Sequence, residues 1–311
     1  MDVCLQFPGQ LSEHVGMGSV VLARLPSRRL EQAEARTGLP LGRLWREGPE
    51  GELHRDRAAA VSMIACNQMT LDALQACDVR VLAVIGHSLG YTSALVAAGC
   101  LRFEEALDVV IAFEDAMDRK LARDGFDGAM GVIVGLVEAE VERIAREAGA
   151  EVACRNAKTQ GAISGPRTAV TAALDAARAC GALATHLMPM GRAMHSSHMN
   201  ELCDELERSC ASVPVRAPAI AIWSHVAAEP IRTAEAARAL LARQVSQRVR
   251  WWESIAALAA AHPGAPLLEC GPGDVLTRLA RWIDRRLPAR PLSSEGAWKE
   301  LPVRAETVAR D

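Results

Sequence analysis

The chain reads as an α/β protein: a large α/β-hydrolase-like domain built on a parallel sheet, with a small ferredoxin-like domain inserted into it. Three observations carry that expectation. The apolar run Val79-Arg80-Val81-Leu82-Ala83-Val84-Ile85 leads straight into Gly86-His87-Ser88-Leu89-Gly90 and then into a small-residue helical segment, Tyr91 to Gly99. Strand and helix periodicities alternate along most of the chain. Residues 127–190 carry six short elements in the β-α-β-β-α-β order of a split unit.

In chain order, Met1 to Phe7 reads as a first strand, and residues 29–36 and 56–77 as helices. The second helix carries Ala58, Val61, Ile64, Ala65, Met69, Leu71 and Leu74 at helical spacing. The strand 79–85 follows, then helices at about 88–98 and 103–123, before Gly125, Gly128 and Gly131 break the pattern. Within the insert, 129–136 reads as a strand and 138–148 as a helix. Short strands at 151–154 and 162–165, a helix at 166–180 and a strand at 183–188 complete it. From about 191 the helical pattern resumes, closing with a strand at 266–269 and a basic helix at 274–286. The expected division is a catalytic domain from 1–126 and 191–292, the small domain at 127–190, and a poorly ordered tail at 293–311, which has charges and little periodicity.

Composition narrows the function classes. The chain has 311 residues, half of them hydrophobic, enough for one large core and a satellite. A net charge of −3 provides no basic field for nucleic acid. No apolar run approaches the roughly 20 residues that span a bilayer, and no signal-peptide pattern precedes the first strand. Nine cysteines, an odd number mostly among apolar neighbours, point to reduced thiols in a cytoplasmic protein. No C-x-x-C pair and no His-x-x-x-His helix with a carboxylate occurs, so no metal site is expected.

The glycines around Ser88 allow a sharp strained turn that presents the hydroxyl at the carboxyl end of a sheet strand, where it can attack an acyl group. Such a serine needs a base and an oxyanion hole. His195, in Gly191-Arg192-Ala193-Met194-His195-Ser196-Ser197-His198-Met199, is the first candidate and His198 the rival. The same segment also reads simply as a helix cap at Ser196 or Ser197.

These residues carry a resemblance that runs nearly the full length. Phe7-Pro8-Gly9-Gln10 with Gly16-Met17-Gly18, the Ser88 pentapeptide, Asn156-Ala157-Lys158-Thr159-Gln160 with Ile163-Ser164-Gly165, Met194-His195-Ser196, and Glu269-Cys270-Gly271-Pro272-Gly273-Asp274-Val275-Leu276 stand in order. Together they resemble the malonyl-CoA:acyl carrier protein transacylase family, shared with polyketide synthase acyltransferase domains. The resemblance implies Ser88 as nucleophile, His195 as base, and the backbone N–H groups of Gln10 and Leu89 as oxyanion donors. It implies a histidine oriented by a main-chain carbonyl near the Gly-Pro-Gly strand, with no triad aspartate. It also implies His87 as a pocket residue, though His87 reads equally as filler of the elbow. Asn156, Gln160 and Met194 come into the pocket by the same correspondence. The resemblance further implies a phosphopantetheine thioester of coenzyme A or of an acyl carrier protein as substrate, with no permanently bound cofactor; a monomer is expected.

Departures from the family pattern concern the acyl group. Members that use malonyl groups carry an arginine in the helix after the nucleophile; the corresponding residue here is Phe113 in Ile111-Ala112-Phe113-Glu114-Asp115-Ala116-Met117. Phe113 also falls on one helical face with Ala106, Val109, Val110 and Met117, so it reads as core as well. Arg119 or Arg123 would replace the lost cation only if the register slipped by more than a turn. Tyr91 stands for the family's glutamate and Ala60 for a glutamine of the preceding helix, while Arg192 is expected to be solvated, with contact to a polar substrate group as the alternative. A carboxylate against a phenyl ring without a cation is uncompensated, so the pocket is expected to suit a neutral or bulky acyl group.

Because carrier proteins are acidic, a docking surface should be locally basic. Arg278, Arg281, Arg285 and Arg286, with Arg248 and Arg250 as a second cluster, are the candidates, against the plainer reading of solvated helix faces. Three functions follow: an acyltransferase for a non-malonyl group in polyketide-type biosynthesis, an acyl-thioester hydrolase that clears stalled acyl groups, or an inactive scaffold that binds a carrier.

Overall fold

A computed structural model describes residues 1–26 and 28–304. In chain order its strands are β1 (Asp2–Phe7), β2 (Arg80–Gly86), β3 (Gly128–Val134), β4 (Glu151–Ala157), β5 (Gln160–Pro166), β6 (Ala184–Leu187), β7 (Ala221–Trp223), β8 (Pro230–Ile231), β9 (Leu267–Glu269) and β10 (Ala289–Pro291). They form a six-stranded sheet of order β10-β9-β1-β2-β7-β8 and a four-stranded sheet of order β4-β5-β3-β6.

In the larger sheet every pairing is parallel except β7 with β8. Its central strands are near-continuous apolar runs because both faces are covered. Alternate residues sort to the two sides: Leu5, Phe7 and Val84 enter one core with helix Asp56–Leu74, while Cys4, Ala83 and Ile85 enter the other with helix Trp251–Ala261.

The turn that follows β2 fits only glycine at its ends. A Cβ on Gly86 would lie 2.1 Å from the Gly90 carbonyl carbon, and one on Gly90 would lie 2.0 Å from the Phe7 carbonyl oxygen. Between them Ser88 takes a left-handed backbone, φ 52°, and helix Gly90–Ala97 starts immediately after it. The Ser88 hydroxyl therefore stands at the carboxyl edge of the sheet.

The smaller sheet is antiparallel throughout, and helices Glu138–Ala148 and Arg167–Ala179 cover one face through Ala129, Ile133, Val152, Ile163, Val170 and Leu174. Met130, Cys154 and Ala162 face the other way, into the core that holds Met194 and Trp251. Backbone hydrogen bonds Arg155 N to Val249 O (2.7 Å) and Val249 N to Ala153 O (2.8 Å) fasten β4 to the segment before helix Trp251–Ala261.

Several expectations need correction. The basic helix stops at Ile283; Asp284 caps a turn by accepting from the Arg286 amide at 2.9 Å, and the chain re-enters the sheet as β10. β7 and β8, three and two residues long, are too short to show a period. Short helices at Ser19–Leu22, Leu41–Glu47 and Glu50–Leu53 were not expected. The segment from Ser293 is ordered as far as Arg304: Glu295–Lys299 is helical, and buried Trp298 donates from Nε1 to Leu292 O at 2.7 Å. Arg24 lies 4.8 Å over the Trp298 ring and pairs with Glu295 at 2.6 Å. Residues 305–311 of the expected tail lie outside the described residues. All nine cysteines are free, and only Cys180 is exposed. Among the described residues no helix is long and apolar enough to cross a membrane.

Gly90→Ala, which forces a methyl group onto the Phe7 carbonyl, is expected to cost about 4 kcal/mol or more, measured as a shift in the urea midpoint. An exposed control, Gly51→Ala, should change stability by no more than about 0.5–1 kcal/mol in either direction.

Candidate active site

Two residues far apart in sequence meet at the elbow. Ser88 Oγ lies 2.7 Å from His195 Nε2. On the opposite side of the ring, His195 Nδ1 lies 2.9 Å from Gln244 O and 3.1 Å from Gln247 O. Carbonyls only accept, so Nδ1 carries the proton and Nε2 presents its lone pair to the serine hydroxyl. The orienting carbonyls belong to the turn around residues 244–247, not to the Gly271-Pro272-Gly273 region that the resemblance implied. His195 itself has a left-handed backbone, φ 58°, and its amide is fixed by a 2.7 Å bond to Val245 O.

Burial pushes the His195 pKa down to about 4, and the neighbouring His87 adds to the shift; the two carbonyls oppose it only in part. The imidazole is therefore neutral around pH 7, the state a general base requires. His198, the rival, stacks on Phe126 at 4.9 Å instead.

Gln10 and Leu89 line the same cavity as Ser88. The loop carrying Gln10 lies against the elbow, for a Cβ on Gly9 would come within 2.7 Å of His87 O and 3.5 Å of Leu89 N. Neither the Gln10 nor the Leu89 backbone N–H donates to a protein acceptor among the described residues. Two free N–H groups beside a nucleophilic oxygen are what an oxyanion hole needs.

The cavity beside Ser88 has an enclosed volume of about 50 Å³, which becomes about 520 Å³ only when the open space at its mouth is counted. Val109, Val110 and Phe113 supply one wall from helix Phe103–Asp124, and Leu206, Leu241 and Val245 line it further round, with Met194 also in the lining. Its polar lining is Gln10, Ser88, Thr92 and Gln244, and no charged side chain lines it among the described residues. Arg119 is exposed and pairs with Glu205 at 2.7 Å, and Arg123 pairs with Asp124 at 2.7 Å; neither enters the cavity.

Five expected pocket residues are not in the cavity lining. Tyr91 is buried beneath the elbow, donating to Ala237 O at 3.1 Å. Ala60 is in the core packed around helix Asp56–Leu74. Asn156 reaches the site only through His87, its Oδ1 3.0 Å from Nε2, while Gln160 lines a separate cavity on the small sheet. His87 packs edge-on to Trp251 at 5.0 Å and is not among the residues that line the cavity.

Arg192 overturns its expectation most sharply. It is 2% exposed, and its guanidinium forms a fork with Glu114, Nη1 to Oε1 at 3.1 Å and Nη2 to Oε2 at 2.7 Å. Desolvation raises the Glu114 pKa while Arg192 pulls it back. Sequence reasoning also passes over His225, fully buried with its ring 5.5 Å from Tyr91. A lone histidine after a three-residue strand carries no periodic signal.

Residues 6–280 match the acyl transferase domain family. The chain belongs to that family. It is 30% identical over 298 residues to the malonyl CoA-acyl carrier protein transacylase of Escherichia coli K12, covering 94% of this chain and 96% of that one. It is 34% identical over 308 residues, 97% of its length, to the polyketide biosynthesis protein ThaF of Burkholderia thailandensis, but spans only 26% of ThaF. Among solved structures, a malonyl-transacylase in complex with a type II PKS acyl-carrier protein superposes with a TM-score of 0.88 at 28% identity, covering 96% of this chain and 97% of that one. The protein is an acyl transferase enzyme.

On this acyl transferase the candidate docking arginines divide. β10 runs parallel to β9 with Ala289 opposite Leu267, so helix Val275–Ile283 returns the chain to the amino edge of the sheet. Arg285 and Arg286 follow that helix and lie at the edge opposite Ser88, and Arg281 Nη2 lies 3.5 Å from Ala289 O. Arg278 pairs with Asp274 at 3.3 Å. Arg248 is engaged within the fold, donating to Val152 O at 2.9 Å and Glu142 at 2.7 Å. Arg250, 3.3 Å from Glu253, completes the cluster that flanks Gln247.

A lowered base pKa moves the acidic limb of the rate profile down, because protonating Nε2 removes the lone pair that takes the serine proton. Single-turnover acylation of Ser88 is expected to stay level from about pH 8 to 5 and to fall as pH drops through about 4. His195→Ala should slow it at least ~10³-fold, followed by quenched-flow and intact mass.

Proposed function

We propose that this acyl transferase moves an uncharged acyl group, by way of a Ser88 ester, onto or between acyl carrier proteins in polyketide-type biosynthesis. The observation that carries the reading is the wholly uncharged lining of the cavity beside Ser88, with Phe113 in its wall. The carrier protein as partner is supported by the names of the relatives and by the carrier complex of the structural neighbour.

Each chemical step has a residue. Ser88 Oγ attacks the thioester carbonyl as its proton passes to His195 Nε2. The tetrahedral oxyanion faces the Leu89 and Gln10 amides, each such donor being worth about 2.7–4 kcal/mol in comparable sites. Carbon–sulfur cleavage releases the thiol, which takes the proton from His195. The phosphopantetheine thiol of the acceptor then gives its proton to His195, its sulfur attacks the Ser88 ester, and Ser88 leaves with the proton returned. The pantetheine group is substrate throughout. Water in place of the acceptor thiol turns the same steps into hydrolysis.

A free carboxylate on the acyl group would enter this cavity with no cation to meet it. The buried guanidinium described above, Arg192, is already forked onto Glu114. An unpaired buried charge costs about 3–5 kcal/mol, so malonyl groups should load at least ~10²-fold more slowly than acetyl, butyryl or hexanoyl groups. Intact-mass analysis of protein mixed with each coenzyme A thioester, with and without holo-carrier protein, tests this. Malonyl loading as fast as butyryl loading would sink the uncharged-acyl reading, and discharge by water as fast as by carrier would convert it to a hydrolase. Phe113→Arg is expected to raise malonyl loading relative to butyryl by roughly tenfold or more.

A further inference from the structure

We infer that Arg192 is a positioning residue for the acyl-transfer step, its buried guanidinium joining the three segments that build the site. It stands three residues before His195, on the loop that carries the base. Its fork closes on Glu114, next in the helix to the cavity residue Phe113. Its Nε makes no hydrogen bond but lies 3.1 Å from Asp56 Oδ2, an ion-pair contact only, and the Asp56 carbonyl accepts from Gln10 Nε2 at 3.2 Å. One side chain thus ties the base loop directly to the cavity wall and reaches the oxyanion loop through Asp56.

Stability alone is a poor reason for this arrangement. A buried ion pair is often matched or exceeded by apolar side chains of similar volume. Registry is a better one, since a bidentate fork fixes distance and angle together. The loop needs such a fix: His195 sits at φ 58°, and the preceding Ala193 amide passes so close to Gly128 that a Cβ there would come within 2.6 Å of it. On the other side Ser196 Oγ donates to Ala193 O at 2.6 Å, which braces the turn locally but reaches neither the helix nor the Gln10 loop. Arg57 continues the cluster outward by pairing with Asp115 and, at 3.4 Å, Asp118.

The inference rests on Ser88 and His195 as nucleophile and base, so its test uses a reagent indifferent to acyl preference. An alkyl fluorophosphonate reacts with an activated serine: the Ser88 Oγ–P bond forms, fluoride leaves, and the serine proton passes to His195. Labelling rates across pH 4–9 would be compared for the wild type, Ser88→Ala, Arg192→Lys, Glu114→Gln, and the paired replacement Arg192→Met with Glu114→Met, each at a temperature where circular dichroism shows it folded. The paired variant is expected to keep a melting temperature near the wild type yet label ~10- to 100-fold more slowly. Arg192→Lys, which keeps the charge and loses the fork, should fall between. Wild-type labelling rates in the folded paired variant would overturn the inference. If that variant does not fold, Glu114→Gln decides by the same comparison. Failure of the wild type to label at Ser88 would instead overturn the nucleophile assignment beneath it.

Discussion

The site depends on the contact between the end of β1 and the turn after β2. Gly90 lies so close to the Phe7 carbonyl that no side chain fits between them. That contact brings two loops from neighbouring strands to one point. The β1 loop contributes the Gln10 amide, and the β2 turn contributes Ser88 and the Leu89 amide. A parallel sheet makes this possible because adjacent strands end at the same edge. Ser88 and the two amides proposed as oxyanion donors are thus set by backbone geometry, which costs no side-chain entropy to hold.

The proposed base arrives differently. His195 comes from a loop over a hundred residues later, and its ring is aimed by carbonyls from yet another segment. A carbonyl dipole orients the ring without adding a full negative charge. Burial therefore governs the imidazole, which stays neutral well below the ordinary histidine range. An aspartate in that position would favour the protonated ring. The arrangement suits a pocket without formal charges: Ser88, the neutral imidazole and two amides face an apolar cavity, and charge develops only on the oxyanion and the imidazolium during reaction.

The legible parts of the sequence were those with strong local physics. The elbow is a run of glycines around one serine, and the small domain's elements alternate in period, so both read directly from the chain. The same holds for helix Phe103–Asp124, whose face places Phe113 at the cavity. What escaped was non-local or too short. β7, β8 and β10 take only two or three residues each and exist through their neighbours in the sheet. Arg192 looks solvated from its own surroundings; only the fold brings Glu114, seventy-eight residues earlier, against it. Charge in the 278–286 run is plain in the sequence, but which edge of the sheet it reaches is fixed by the return path to β10. The segment after Ser293 has too few apolar residues for a period, yet buried Trp298 and Leu301, the Arg24 contact and backbone bonds to residues 76–78 anchor it.

The cysteines give this chemistry a quiet safeguard. Thioesters pass acyl groups readily to thiolates, and Cys210 lines the very cavity that would receive the acyl chain. Burial raises its pKa, as it raises that of Cys4 and Cys100 to about 11 and of Cys66 and Cys154 to about 12. Kept protonated, these sulfurs are feeble nucleophiles. Beside the cavity, then, the acyl group meets a hydroxyl with a base at 2.7 Å and a thiol held in its unreactive form. The enzyme can handle sulfur esters without diverting its cargo onto its own sulfur.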